Sequence, residues 1–228
     1  MRRIAVCLLL LVPVVAAGCG SHGSTTESTP ATSTQAQAPT TLTVFRVRNG
    51  DLHAESVTVP HTRAVATASL GALGLSGGVT IADGTARVDA PAATADQVAE
   101  IVYTLTQFPS VQRVDVGGRA GLTRADVASY APPILIEAPA DGAKVPRSFH
   151  VSGSASVFEA TLVVELVVDG KVALRKTVTA SEGAPSRGTF DAVLRAPGPG
   201  SARVVAFSPS AENGEPQHQV EAPVTVVS

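Results

Sequence analysis

Val157–Gly170 reads VFEATLVVELVVDG, and its alternation decides the fold of the C-terminal half. One face of the strand it predicts carries Phe158, Ala160, Leu162, Val164 and Leu166. The other carries Glu159, Thr161, Val163 and Glu165. Successive strand side chains point to opposite faces, so this pattern sets one face on a core and leaves the other partly wet. The segment closes on Val168-Asp169-Gly170, which predicts a three-residue loop with Gly170 left-handed. That loop sets Leu166 opposite Val172 and Val164 opposite Leu174. Further alternating runs follow at Phe190-Asp-Ala-Val-Leu, Arg203 to Phe207 and Val220 to Val227, separated by Gly, Pro and Asn turns. Short strands at this spacing predict an all-β sandwich over residues 132–228.

Working upstream, residues 119–131 are polar and Ala-containing and are expected as a connector, stiffened by Pro132-Pro133. Residues 42–118 mix periods. Leu42 to Val47 alternates, Asn49-Gly50 signals a turn, and Leu52 to Val59 reads as the returning strand. Thr62 to Leu73 predicts a first helix with Gly74 as its C-cap. Asp83-Gly84 predicts a two-residue hairpin turn pairing Ile81 with Ala86 and Val79 with Val88, and both pairs are apolar. Thr94 and Gln97 make a capping box, with Val98, Ile101, Val102 and Leu105 on one face of the helix it opens. Pro109 is expected to end that helix, and Val111 to Val116 then returns as a strand. The region reads as an α/β domain, a small sheet covered by two helices.

The N-terminus reads as an export signal. Met1-Arg2-Arg3 is a positive start, and Ile4 to Val15 is an apolar run too short to span a bilayer core, which needs about 20 apolar residues. Ala16-Ala17-Gly18-Cys19 resembles a bacterial lipobox, with Ala16 departing from the more usual Leu. This resemblance implies that residues 1–18 are a signal peptide and that Cys19 becomes the lipidated first residue of an extracytoplasmic protein. Two or more acyl chains would hold it firmly, since each buried CH₂ contributes about 0.8 kcal/mol. Residues 19–41 then supply the anchor and a Ser/Thr/Pro-rich tether with too few large apolar residues to form a core, spanning roughly 25 Å if flexible.

Composition bounds the function. The chain has 228 residues, is 44% hydrophobic and 16% charged, and carries a formal charge of −2, so it offers no basic face for nucleic acid. Its two cysteines, Cys7 and Cys19, both precede the folded regions, so no disulfide within those regions is expected. Arg well outnumbers Lys, and Ala, Gly and Val abound, as in proteins from GC-rich bacterial genomes.

The stretches ADGTARVDAP and AEIVYTLTQFPSVQRVDVGG resemble the GerM-type domain of bacterial sporulation and germination proteins. The residues that carry the likeness are Val88-Asp89, Tyr103-Thr104-Leu105, Pro109, Val111 and Arg113-Val114. In the second half, Ile136 to Pro139, Val151-Ser-Gly153, Val157 to Ala160, Ala180-Ser181, Gly188-Thr-Phe190 and Ser210-Ala211 resemble the immunoglobulin-like domain associated with bacterial spore germination. The disulfide and Trp of antibody domains are missing, so immunoglobulin here refers to shape. Behind a lipobox, this pair resembles an actinobacterial style of lipoprotein. The resemblance implies a scaffold or interaction role in the cell envelope and carries no active site to transfer.

Sharper possibilities were weighed against that expectation. Gly74-Leu-Ser76-Gly-Gly78 fits the letters of a nucleophile elbow, but a helix precedes it where the motif needs a strand. His22, His53, His61, His150 and His218 are scattered singly, without metal-ligand spacing. Glu159 and Glu165 are expected on one solvated strand face, and Glu159 with Phe158 is the candidate interaction pair. The aromatic residues are expected mostly on core faces, which disfavours a stacking platform for sugar. The expectation is a non-enzymatic envelope lipoprotein, anchored to the membrane through Cys19, binding a protein partner and needing no cofactor, metal or nucleic acid. A binding module for cell-wall glycan or a small ligand is the alternative, and an envelope hydrolase with an unrecognised site is a further one.

Overall fold

Three dipeptides set the hairpins: Asn49-Gly50, Asp83-Gly84 and Asp169-Gly170 each place both residues at positive φ, between 50° and 92°. That pair of conformations defines the type I′ turn, whose twist matches the flanking strands. The structure, a computed structural model, describes residues 37–228, which cluster as a single compact unit.

The first turn joins β1 (Thr40–Arg48) to β2 (Asp51–Val59) in a two-stranded sheet. Helix α1 (Val65–Ala72) follows and ends at Gly74, where the Leu75 N–H reaches back to the Leu70 carbonyl at 3.0 Å. The second turn joins β3 (Val79–Ala82) to β4 (Thr85–Val88), with Val79 opposite Val88 and Ile81 opposite Ala86, as the turn chemistry requires. Helix α2 (Ala95–Leu105) opens on the Thr94–Gln97 capping box and buries Val98, Ile101, Val102 and Leu105. It stops at Leu105, one turn short of Pro109. The next strand is β5 (Arg113–Val116), which pairs parallel to β4.

The connector differs from the sequence expectation. Its first residues, Arg119–Leu122, form β6, which folds back antiparallel on β5 through Gly117-Gly118 and completes the sheet β3-β4-β5-β6. A 3-10 helix then spans Arg124–Tyr130, opened by reciprocal bonds between Thr123 and Asp126. Those bonds hold the Asp126 carboxyl below its ordinary range.

The rest is a β-sandwich. Its strands are β7 (Ile134–Ala138), β8 (Ala143–Val145), β9 (Ser148–Ala155), β10 (Thr161–Val168), β11 (Lys171–Thr179), β12 (Gly188–Arg195), β13 (Gly200–Pro209) and β14 (Pro216–Val226). One sheet runs β11-β10-β13-β14-β8 and the other β12-β9-β7. Leu162, Val164 and Leu166 of β10 face the core between them, with Phe149, Phe190 and Leu194 from the opposite sheet. The fold class is thus the one the sequence predicts, an α/β N-terminal part and an immunoglobulin-like all-β C-terminal part.

Two local expectations about β10 and its hairpin fail. The loop to β11 has two residues, Asp169-Gly170, with a bulge after Leu166, so Leu166 faces Leu174 and Val164 faces Lys176. Phe158 is not on the core face: a 3-10 turn at Phe158–Ala160 precedes β10 and breaks the alternation.

β7 joins the two halves. Ile134 and Ile136 enter the sandwich core, while Leu135, on the opposite face, enters the core of the α/β region together with Ala140. A strand buried on both faces reads as a continuous apolar run, and Ile134-Leu-Ile136 is one.

Candidate functional site

The turn before β10 presents the candidate pair. Val157 is extended, then Glu159 takes φ 54°, ψ 17° and Ala160 takes φ 54°. Each non-glycine residue in the left-handed region costs about 1–2 kcal/mol, so this turn must be held by its surroundings. The loop between β11 and β12 holds it: the Ala184 N–H donates to the Val157 carbonyl at 2.9 Å, and the Ala180 N–H donates to the Ala160 carbonyl at 2.8 Å. Gly183 lies so close that a Cβ there would sit 2.8 Å from the Ala160 nitrogen. The outcome is a braced turn whose Phe158 side chain is 71% exposed, with Glu159 exposed beside it. Leaving a large apolar side chain in water forgoes about 1.5–3 kcal/mol of burial energy. Strain and exposure together are more often kept for contact than for folding.

A second feature lies where the halves meet. Arg124, from the 3-10 helix, donates from Nη1 to both oxygens of Glu137 at 2.8 and 2.9 Å and from Nε to Thr106 Oγ1 at 2.9 Å. Its guanidinium carbon stands 4.7 Å from the Tyr103 ring centroid and 5.8 Å from that of Phe45. Burial pushes the Tyr103 phenol up, against the opposing pull of Arg187 and Arg124. Arg187 itself donates to the Ala131 and Pro132 carbonyls at 3.1 and 2.7 Å, pinning the chain between the halves. On the far side, Asp141 pairs by its backbone with Ser56 and Ala54 of β2 at 2.9 Å each and by its carboxylate with Arg48 at 3.5 Å. Burial raises the Asp141 carboxyl and Arg48 opposes the rise.

Beside Arg124 runs an open cleft of about 770 Å³, lined by Thr43, Thr106, Gln107, Gln112, Thr123 and Ser152 among others. Its one carboxylate is Glu137, already engaged by Arg124. The cleft was not legible in the sequence, because its walls come from β1, the α2 C-terminus, the connector, β7 and β9.

The remaining candidates separate. Glu165 is not solvated: it is 6% exposed on the outer face of β10, paired with Arg175 at 2.5 Å beside the small apolar cluster of Val167, Val205 and Phe207. Glu159 and Glu165 therefore do not share a strand face. Ser76 is exposed in a loop that follows α1 and leads into β3. His150 faces Asp191 at 3.0 Å on the surface, while His53, His61 and His218 stand apart on other elements. Among the described residues no cluster of His, Cys, Asp or Glu could hold a metal ion, and no helix is long and apolar enough to cross a membrane. Cys19 and His22 lie outside the described residues.

No curated protein matches this chain. Among solved structures, an engineered protein is similar at 14% identity and a TM-score of 0.32, covering 61% of this chain and 38% of that one. The tandem GerMN domains of the sporulation protein GerM from Bacillus subtilis are similar at 14% identity and a TM-score of 0.32, covering 83% of this chain and 61% of that one. The chain therefore spans less than two thirds of the length of either protein. Residues 133–215, from just before β7 to the turn ahead of β14, match the family described as the immunoglobulin-like domain of bacterial spore germination.

Proposed function

We propose that this protein is a non-enzymatic cell-envelope lipoprotein, anchored by acylated Cys19, whose braced Phe158–Glu159 turn contacts a protein partner. The observation that carries the reading is Phe158: an aromatic side chain left 71% exposed on a turn that spends backbone strain to present it. Exposed aromatics backed by rigid backbone are the residues on which interface energy concentrates. The germination-type immunoglobulin-like match and the resemblance of residues 42–118 to GerM-type domains support a module that binds or positions another protein. The lipobox-like Ala16-Ala17-Gly18-Cys19 supports the anchor.

Two variants test the two parts. Cys19→Ala is expected to leave the membrane fraction; its retention there refutes the anchor. Formaldehyde crosslinking in intact envelopes is expected to trap one partner with the wild type and to lose it with Phe158→Ala. Equal capture by both refutes the turn as the contact.

A second reading draws on the cleft beside Arg124, whose hydroxyl and amide lining suits a polyhydroxylated wall fragment. Under that reading, wall muropeptides shift the NMR signals of Gln107 and Gln112, and Phe158→Ala leaves those shifts unchanged.

A further inference from the structure

Sheet edges invite pairing, and proteins guard them with charge or with a cover. Most exposed edges here are guarded: β11 carries Lys171, Arg175 and Lys176, β8 carries Lys144, β6 carries Arg119, and β12 carries Asp191 and Arg195. β1, β2 and β7 carry charged residues as well. Among the described strands at a sheet edge, β3, with the sequence Val-Thr-Ile-Ala, alone has no charged side chain.

Its backbone is open in a defined pattern. The Asp89 N–H donates to the Gly78 carbonyl at 3.2 Å, so residues 78, 80 and 82 turn their hydrogen-bonding groups toward β4. Val79 and Ile81 turn theirs outward. Thr80 and Ala82 are exposed, and Ile81 is 40% exposed. Beside the edge lies an apolar groove of about 430 Å³ whose walls include Val65, Phe108 and Pro109.

We propose that β3 pairs antiparallel with β3 of a second copy of this chain, centred on Thr80. In this register Val79 lies opposite the second copy's Ile81, and each residue supplies the N–H and C=O that the other lacks. Both pairs put apolar side chains on the face that carries the groove, and Thr80 meets its own counterpart on the other face, a favourable cross-strand pair. Charge selects this occupant. Self-pairing sets like residues near like, which β11 could not tolerate, whereas β3 has no charge to oppose. A four-residue edge falls well short of the about 800 Å² per partner of a standard interface, so the contact is weak and is best read by trapping it in place.

The test is oxidative crosslinking of the full-length chain in its own membranes, with copper phenanthroline as oxidant. Thr80→Cys is expected to give a reducible species of twice the chain mass, because residue 80 faces itself in a close non-hydrogen-bonded pair. Ala82→Cys is the control: the same register puts residue 82 opposite Gly78, and about tenfold less dimer is expected. Comparing the two variants cancels any contribution from Cys19, so a failed anchor does not mimic a failed edge. Adding Ile81→Lys to Thr80→Cys is expected to abolish the dimer while leaving the circular-dichroism melt unchanged. Equal yields from both cysteine variants, no dimer from Thr80→Cys, or a crosslinked species of another mass each overturn the proposal.

Discussion

The two halves of the molecule solve the problem of an open strand differently. In the sandwich, the solution is written in the strand itself: β11 carries cations along its free edge. In the α/β half, β1 is guarded by a helix. Glu100 accepts from the Val47 N–H at 2.9 Å, Thr104 Oγ1 accepts from the Phe45 N–H at 2.9 Å, and Gln107 donates to the Thr43 carbonyl at 2.9 Å. Residues 100, 104 and 107 fall on one helical stripe, so α2 offers a ladder of side chains where a third strand would offer backbone. The lesson is that an edge can be satisfied without being paired. β3, which has neither device, is the exception on which the self-pairing proposal rests.

The comparison breaks most severely where the halves share a strand. A Cβ added to Gly153 would stand 2.0 Å from the Leu135 carbonyl oxygen and 3.0 Å from the Phe190 ring. Gly153→Ala should therefore force β7 from β9 and disturb both cores. A loss above about 3 kcal/mol, or failure to fold, is expected in chemical denaturation. Next is the helix ladder: Thr104→Val leaves the buried Phe45 N–H without an acceptor and should cost about 1–3 kcal/mol. A matching substitution on the edge of β11, Lys176→Ala, should move stability by about 0.5 kcal/mol or less, because that edge is wet.

Glu100 sharpens the contrast through pH. Burial raises its carboxyl above the ordinary 4.5, outweighing the Val47 N–H and Arg46, which favour the charged form. A raised carboxyl keeps its proton longer in the folded chain than in the unfolded one. Its contribution to stability is thus fully present in acid and is lost as pH rises through the folded pKa. Glu100→Gln keeps the acceptor and removes the charge, so the variant should gain on the wild type as pH rises from about 4.5 toward neutrality. Melting curves across that window check the sign. The smallest stability effect is expected at Phe158: Phe158→Ala should shift stability by no more than about 0.5 kcal/mol, while partner capture is lost.

Local chemistry was legible and assembly was not. Asn49-Gly50 and Asp83-Gly84 specified their hairpins because type I′ turns demand positive φ at two adjacent residues, and the Thr94–Gln97 capping box marked where α2 begins. Ile134-Leu-Ile136 looked like an ordinary sandwich strand; nothing local says that Leu135 serves a different core. The Arg124–Glu137 fork joins residues on two elements whose approach depends on both cores forming first. Phe158 was misplaced because period-two reading cannot see one left-handed residue, and Glu159 at φ 54° is enough to interrupt the alternation. The pair named for interaction was nonetheless Phe158 and Glu159, and the structure gives that pair its rigid, exposed setting.

The central claim is that the Phe158 turn is the surface a partner touches. The most direct test replaces Phe158 with p-benzoylphenylalanine and irradiates intact cells, with Val193, an exposed position on β12, carrying the same group as control. The account predicts one discrete adduct from position 158 that is absent from position 193. No adduct at 158, or the same adducts from both positions, would contradict it.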